Sequence, residues 1–294
     1  MLDANRILSK IRRLELKTRG LVDAAFAGQY RSVFKGRGMN FEEVREYQPG
    51  DEIRSIDWNV TARLGTPFVK KFTEERELTV MLVVDVSASG NFGSVELSKR
   101  ELAAEVASVI AFSAIRNNDK VGLLLFSDHV ELFIPPKKGR IHTLRLIREI
   151  LFFEPSGKRT VPGEALRYLN RILVRRAVVF LVSDFQAEGY ERELAITARR
   201  HDLIAIPVHD PNEQTLPDVG IVTFEDAETG EQVEINTGDP AVRAAYTELA
   251  NRRAEALAME FRRKRIDSIP LRTDQDYLPA LRTFFRNRER RQAR

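Results

Sequence analysis

The sequence predicts an α/β fold, in which helices flank a mainly parallel sheet and accessory elements lie at both ends of the chain. Two short, valine-rich apolar runs, 78–84 and 177–183, are typical of buried central strands. Helical patterns over 96–117, 140–152 and 163–174 alternate with such runs. This alternation favours parallel strands joined by helices. Ligands of such sheets bind outside the carboxyl ends of the strands, so the residues there are the first candidates for function.

The other elements are predicted from periodicity and turn residues. A helix over 4–30, broken or bent near Gly20, opens the chain, and short strands are expected around 66–72. Two prolines, Pro135 and Pro136, should end the second strand of a pair. The remaining predictions are that strand pair, 119–126 with 130–134, a helix over 188–200, a strand over 203–208, a hairpin of 221–225 with 232–236, a helix over 240–265, a short strand over 268–271 and a final helix over 277–290. We expect three segments, 1–77, 78–210 and 211–294.

Composition narrows the class of protein. The chain has 294 residues, 43% of them hydrophobic, which is enough for a substantial core. It has 0 cysteines, which excludes disulfides, thiolate zinc sites and a cysteine nucleophile. The first 13 residues are charged and amphipathic and have no apolar signal core. No apolar run approaches the ~20 residues of a membrane span. We therefore expect a cytoplasmic protein with no membrane span.

The chain ends in a cluster of arginines. A solvated helix end explains such a cluster, and contact with nucleic acid or an anionic surface is the alternative. The formal net charge is only +4, so we do not expect nucleic-acid binding. The arginines concerned are Arg286, Arg288, Arg290, Arg291 and Arg294.

Three oxygen-bearing side chains follow the first buried strand. Asp85, Ser87 and Ser89 occupy alternate positions where the strand should end. One carboxylate and two hydroxyls form a hard, all-oxygen set, which suits Mg²⁺, or Mn²⁺ or Ca²⁺, better than zinc or copper. The alternative is that the two serines only cap the following turn or helix. We favour a divalent-metal site.

This Asp-x-Ser-x-Ser pattern resembles the metal-ion-dependent adhesion site of von Willebrand factor A-type domains. The resemblance implies two further ligands, a threonine from a second loop and an aspartate after a later strand. Thr160 and Asp184 are present in that order, and Asp184 follows the second buried run. The predicted metal ligands are thus Asp85, Ser87, Ser89, Thr160 and Asp184.

A second, more extensive resemblance covers about residues 30 to 285. It is carried by Gly36-Arg-Gly38, by the stretch 41–51 that contains Tyr47-Gln-Pro-Gly-Asp51, by Arg54-Ser-Ile-Asp-Trp58, by Ala62-Arg63, by Asn118-Asp-Lys-Val-Gly122 and by Val182-Ser-Asp-Phe185. The chain is identified by these motifs as a member of the domain-of-unknown-function-58 family. This bacterial and archaeal family carries a von Willebrand A-like domain. The resemblance implies a MoxR-type AAA+ ATPase as partner.

The segment before the first buried strand is dense in charge around the single tryptophan. We expect its charged residues to form a half-buried structural ion network under Trp58, although direct contact with a partner remains open. The residues concerned are Arg45, Asp51, Arg54, Asp57, Trp58 and Arg63.

These observations favour a binding protein over an enzyme. None of the four histidines stands beside a candidate nucleophile in the sequence. We therefore predict a metal-dependent adaptor that works with a MoxR-type ATPase in assembling or maturing other proteins. The alternative is a metal-dependent phosphate-ester hydrolase that uses Asp85 and Asp184.

Overall fold

A computed structural model describes residues 4–22, 26–34, 40–73, 77–226, 228 and 230–292. The chain forms two compact units: one consists of residues 1–33 and 79–294, and the other of residues 34–78. These units differ from the three predicted segments, because the first 33 residues belong with the sheet. Gly36, Gly38 and Arg294 lie outside the described residues.

Helices α1 (Ala4–Leu21) and α2 (Ala27–Val33) begin the larger unit, as the predicted break near Gly20 implies. The α1 helix lies beside the helix of residues 99–116, and Lys17 of α1 pairs with Glu105 of that helix at 2.6 Å. Exposed pairs of this kind contribute little stability, so the buried aromatic contacts of the next helix matter more.

The α2 segment is fastened by aromatic residues. Phe26 and Tyr30 are both buried and pack edge-on against Phe285, at 6.0 and 6.5 Å between ring centroids. The buried Tyr30 hydroxyl also donates a hydrogen bond to Asp119 Oδ2 at 2.9 Å. Burial and this nearby carboxylate both raise the pKa of Tyr30 well above its usual value. The phenol therefore stays protonated and remains a donor.

The smaller unit holds strand β1 (Asn40–Glu46), helix α3 (Trp58–Leu64) and strand β2 (Phe68–Thr73). The two strands pair in antiparallel fashion, and β2 confirms the predicted strand near 66–72. Asp57 caps α3, because its Oδ1 accepts hydrogen bonds from the backbone amides at the start of the helix, including that of Asn59 at 3.0 Å.

The prediction that Trp58 covers a half-buried network of charged residues is wrong. Trp58 is 66% exposed, since it begins a short helix that buries none of its residues. Arg45 and Asp51 do form a two-pronged pair at 2.8 and 2.7 Å. Arg54 and Arg63 are exposed instead of half-buried. The charged segment is therefore held by a surface ion pair and a helix cap.

A seven-stranded sheet, counted over the described residues, forms the centre of the larger unit. Its first five strands confirm the predicted mainly parallel arrangement, because only β4 and β5 pair in antiparallel fashion. They are β3 (Thr79–Asp85), β4 (Lys120–Phe126), β5 (Val130–Lys137), β6 (Val178–Ser183) and β7 (Asp202–His209).

Helices lie between and after these strands. They are α4 (Lys99–Arg116), α5 (Arg140–Phe152), α6 (Pro162–Ile172), α7 (Glu191–Arg200), α8 (Pro240–Arg263) and α9 (Leu278–Gln292). The smaller strands are β8 (Ile221–Glu225) and β9 (Gln232–Asn236), which form the predicted hairpin, and β10 (Asp267–Ser268) and β11 (Leu271–Arg272), which extend the sheet beside β7. The strand order is β10-β7-β6-β3-β4-β5, with β11 also on β7.

Successive side chains of β3 point to opposite faces of the sheet, so the strand contributes to two hydrophobic cores. Met81 and Val83 pack in a cluster with Leu166 of α6, Leu194 of α7 and Phe261 of α8. The alternate residues of the strand are equally buried and face the other side, where α4 contacts the sheet. Burial on both faces explains the continuous apolar runs in the sequence.

The edge strand β5 differs from its prediction. It continues through Pro135 and Pro136 to Lys137 instead of ending before them. Proline lacks a backbone N–H, and an edge strand tolerates this on the side that has no neighbouring strand.

At the other edge, arginines of α9 pair with acidic residues of the sheet. Arg288 contacts Asp202 and Asp267, and Arg291 pairs with Asp267 at 2.8 Å. Part of the arginine cluster thus anchors the final helix. No helix among the described residues is long and apolar enough to cross a membrane.

The buried Tyr30 hydrogen bond gives a test of how the N-terminal helices are held. Replacing Tyr30 by Phe leaves a buried Asp119 oxygen without this donor, and should lower the free energy of unfolding by about 1–3 kcal/mol. Urea unfolding followed by circular dichroism measures this. Tyr246→Phe on α8 is the control and should change it by less than about 0.5 kcal/mol. Equal stability of the two variants would contradict the assigned role of the hydroxyl.

Candidate functional site

Two carboxylates meet at the carboxyl edge of the sheet. Asp85 ends β3, and Asp184 directly follows Ser183, the last residue of β6. The two strands are parallel neighbours with Val84 opposite Val182, so their ends lie side by side. The sequence prediction that Asp85 and Asp184 share one edge is in agreement with this register.

Three hydroxyls assemble beside Asp85. The Ser87 hydroxyl lies 3.1 Å from that of Ser89 and 2.8 Å from that of Thr160. The backbone N–H of Ser87 donates to Asp85 Oδ1 at 2.9 Å, and the Ser89 hydroxyl hydrogen-bonds to Asp184. The structure therefore brings all five predicted ligand residues together.

The loop that carries Thr160 is attached to the ends of two strands. The amide of Ala88, after β3, donates to the Lys158 carbonyl at 3.1 Å, and the amide of Val161 donates to the carbonyl of Ser127, after β4, at 2.8 Å. The loop passes so close to the β4 end that a Cβ at Gly157 would collide with the side chains of Ser127 and Asp128. Thr160 is thus held by backbone contacts on both sides.

Glu131, which the sequence analysis missed, fastens the same loop. Its carboxylate accepts hydrogen bonds from Ser127 Oγ at 2.6 Å, Ser156 Oγ at 2.9 Å and the Gly157 amide at 2.8 Å. Burial opposes ionisation, but these donors outweigh it and lower the pKa of Glu131 from 4.5 to about 2. Glu131 lies at a polar position of an edge strand, where side chains usually face water. The sequence pattern therefore gave no indication that it fastens this loop.

Asp85 is a carboxylate in an unfavourable environment. Burial, together with the negative charge of Asp184, raises its pKa from 3.8 to about 6. Hydrogen bonds from Ser87 and from Ser183, whose hydroxyl donates to Asp85 Oδ2 at 2.7 Å, offset only part of that effect. An additional positive charge would stabilise the ionised form.

Asp184 already has such a charge. The Lys99 ammonium, at the start of α4, lies 2.8 Å from Asp184 Oδ2 and 2.6 Å from Glu213 Oε1. Burial disfavours the Asp184 carboxylate, yet Lys99 outweighs it and holds the pKa of Asp184 below its usual value. The same two carboxylates raise the pKa of Lys99 against its own burial. Neither Lys99 nor Glu213 was predicted as a site residue.

The turn after Asp184 has an unusual backbone. Phe185 has a φ of 57°, the left-handed region that bulky residues rarely adopt. Its buried ring packs edge-on against Phe261 at 5.2 Å between centroids, which stabilises the turn. This conformation lets the Gln186 amide donate to Asp184 Oδ1 at 3.2 Å, so the carboxylate is held by its own loop.

A cavity of about 20 Å³ lies between the two carboxylates and α4. Its polar lining side chains are those of Asp85, Ser89, Lys99, Arg100, Ser183 and Asp184. A water molecule needs about 10–15 Å³, so the cavity has room for one water or one small ion.

The donor set fits a hard divalent cation. Carboxylate and hydroxyl oxygens are the ligands that Mg²⁺, Mn²⁺ and Ca²⁺ prefer. Burial and the negative charge of Asp184 raise the pKa of Asp85, and a bound cation would offset both effects. Over the described parts of the chain, no three Asp, Glu or His side chains could hold a metal ion by themselves. The hydroxyls of Ser87, Ser89 and Thr160 would therefore have to supply half or more of the protein's ligands.

A histidine also lies near the site. His209 ends β7, and Asp184, Lys99 and Glu213 all influence its charge. Burial lowers the pKa of His209, so the ring is neutral at physiological pH. His209 and Asp184 are not adjacent in the sequence, so the sequence alone did not show that they lie near each other.

Because Lys99 is buried between two carboxylates, replacing it should strongly lower the stability of the fold. Lys99→Met leaves Asp184 and Glu213 without their shared cation and should lower the free energy of unfolding by about 3–5 kcal/mol without added metal. Adding Asp184→Asn should restore part of this loss. Lys17→Met, which breaks an exposed pair, is the control and should cost about 1 kcal/mol or less. Chemical denaturation in EDTA measures all four proteins, and a Lys99→Met effect no larger than that of the control would refute the assigned pairing.

The lowered pKa of Glu131 means that its contribution to the free energy of unfolding should depend on pH. Glu131→Gln should cost about 1.5–3 kcal/mol at pH 7, because hydrogen bonds to a charged acceptor are lost. The folded pKa is below the unfolded value, so the ionised Glu131 stabilises the fold above pH 4.5, and this contribution is lost as pH falls towards about 2. Urea unfolding at several pH values should show the difference from wild type shrinking over that window. Glu154→Gln, on an exposed neighbour, should show no such trend; a Glu131→Gln difference that is constant with pH would contradict the account.

Comparison with known proteins identifies relatives over nearly the whole chain. The family described as Protein of unknown function DUF58 matches residues 43–256. The uncharacterized protein Rv1480 of Mycobacterium tuberculosis is 34% identical over 292 residues, which cover 98% of this chain and 92% of the relative. The uncharacterized protein YeaD of Bacillus subtilis is 26% identical over 46% of this chain and 31% of its own length.

Solved structures with a similar fold are more distant. The conserved hypothetical protein BatB from Bacteroides thetaiotaomicron aligns with a TM-score of 0.45 and 17% identity, over 72% of this chain and 99% of that one. The SpRpn10 VWA domain aligns with a TM-score of 0.37 and 11% identity, over 70% and 94%. Both similarities are too weak to assign a fold family.

The family match covers well over half of the chain and the mycobacterial relative almost all of it, which confirms the resemblance of the motifs: the chain belongs to the family Protein of unknown function DUF58.

Proposed function

We propose that this protein is a metal-dependent, protein-binding adaptor. The observation that carries the proposal is the convergence of Asp85, Asp184 and three hydroxyls at one edge of the sheet. A divalent cation held there would offer a coordination position to an acidic side chain of a partner. Binding would then depend both on the ion and on one carboxylate of the partner.

The kind of partner comes from the family. The family resemblance implies a MoxR-type AAA+ ATPase as partner, and we propose that this chain works with such an ATPase in assembling or maturing a client protein. The site would lie on the surface that faces the ATPase or its client. We propose a cytoplasmic location for this system.

The alternative, a phosphate-ester hydrolase that uses Asp85 and Asp184, is less well supported. Within the described residues, the side-chain partners of Ser87 are Ser89, Thr160 and Asp85, and no histidine is among them. Lys99 holds Asp184 in an ion pair, so this carboxylate is not a free base. These contacts suit ligand binding better than proton transfer.

Titration calorimetry with Mn²⁺ tests the metal site. Asp85→Asn should weaken Mn²⁺ binding at least about tenfold, because it removes the charged ligand while leaving the shape of the side chain. The double variant Ser87→Ala with Ser89→Ala should do the same. Asp128→Asn, on the same edge of the sheet but outside the ligand set, should bind Mn²⁺ like wild type. Unchanged affinity in the Asp85 and serine variants would exclude this site.

A pull-down with a MoxR-type ATPase from the same organism tests the adaptor function. Complex formation should require Mg²⁺, be lost in EDTA and fail for the double serine variant. The wild-type protein should not turn over p-nitrophenyl phosphate with Mn²⁺. A complex that survives both EDTA and the double substitution would exclude the metal face as the interface, and Asp85-dependent turnover would favour the hydrolase.

A further inference from the structure

An acidic residue from a distant part of the chain lies at the site. Glu228 belongs to the connection of the β8–β9 hairpin, 68 residues after Thr160. Its amide donates to Asp226 Oδ1 at 2.7 Å, and the amide of Asp226 donates to the Glu231 carbonyl at 2.8 Å. These bonds within the connection orient Glu228.

The Glu228 carboxylate engages Thr160 with both oxygens. The Thr160 hydroxyl donates to Oε1 at 2.6 Å, and the Thr160 amide lies 3.3 Å from Oε2. The same hydroxyl is 2.8 Å from that of Ser87. The carboxylate of Glu228 is therefore separated from the centre of the ligand set by a single hydroxyl.

The charges around the site favour a cation next to Glu228. Both hydrogen bonds that its carboxylate accepts come from neutral groups of Thr160. The set holds Asp85 and Asp184 as well. The ammonium of Lys99 is already shared between Asp184 and Glu213, and the Arg100 guanidinium near Asp85 donates to backbone carbonyls of Ile150 and Phe153. A further positive charge would compensate the remaining carboxylates.

We propose that Glu228 is an additional ligand residue of this site, and that it takes the position which an acidic side chain of a partner would otherwise occupy. The inference rests on the proposed function, because it needs a cation at Asp85. It also specifies the partner chemistry: an acidic peptide must displace the Glu228 carboxylate from Thr160. The β8–β9 hairpin is then an internal competitor that lowers the affinity for partners.

Mn²⁺ alone is the first probe. Glu228→Gln should weaken Mn²⁺ binding roughly tenfold in calorimetry, because it removes one charged ligand without changing the size of the side chain. Glu234→Gln is the matched control: it makes the same change on the same hairpin at an exposed position, and it should bind like wild type.

Water-proton relaxation of the Mn²⁺-loaded proteins supplies a second readout. Losing the Glu228 ligand should open a coordination position to water, so the relaxivity per bound Mn²⁺ should be higher in Glu228→Gln than in wild type and Glu234→Gln. Added acetate, a minimal carboxylate probe, should lower the relaxivity of Glu228→Gln at concentrations that leave wild type unchanged.

The outcomes separate this inference from the proposed function. Equal or tighter Mn²⁺ binding by Glu228→Gln with unchanged relaxivity would overturn the inference, while the proposed function would stand if Asp85→Asn still abolished binding. A wild-type protein that does not bind Mn²⁺ would overturn both.

Discussion

Two carboxylates at neighbouring strand ends, Asp184 buried and Asp85 half-buried, are the constraint on which the rest of the site depends. The parallel register of β3 and β6 forces Asp85 and Asp184 together. Like charges in a low-dielectric environment repel strongly, and each loses hydration energy on burial. The fold must therefore supply donors or cations to both.

The surrounding residues compensate the two carboxylates unequally. Asp184 accepts hydrogen bonds from the Lys99 ammonium and the Gln186 amide, whereas the hydrogen bonds to Asp85 come from the neutral donors Ser87 and Ser183, with the charge of Arg100 nearby. The pKa of Asp184 accordingly falls and that of Asp85 rises to about 6. This asymmetry leaves a negative charge beside three hydroxyls, which is the physical reason for placing a divalent cation there.

The sheet and its helices could be predicted because burial imposes a regular pattern of apolar residues on the sequence. Runs such as 78–84 are apolar throughout since both faces are covered, and α5 begins and ends where its periodicity predicts. Asp85, Ser87 and Ser89 were accessible because they are adjacent in sequence. Dense charge around a single tryptophan cannot show whether a short segment has a core of its own, so the prediction that Trp58 covers a half-buried ion network was wrong.

The remaining site residues act across large distances in sequence. Lys99 and Asp184 are 85 residues apart, and Thr160 and Glu228 are 68 apart. A lysine in the first turn of a helix or a glutamate in a polar hairpin connection is typical of a solvated surface, so only the fold shows that Lys99 and Glu228 belong to the site. Glu131 is hidden in the same way, on an edge strand whose polar positions normally face water.

The most direct measurement is a crystal structure of the protein soaked in MnCl₂, with the ion located by its anomalous scattering. The account predicts one strong peak within about 2.0–2.6 Å of an Asp85 oxygen and of hydroxyls from the set Ser87, Ser89 and Thr160. A map with no peak at this edge of the sheet, while Mn²⁺ binds elsewhere on the protein, would contradict the central claim that these residues form a divalent-cation site.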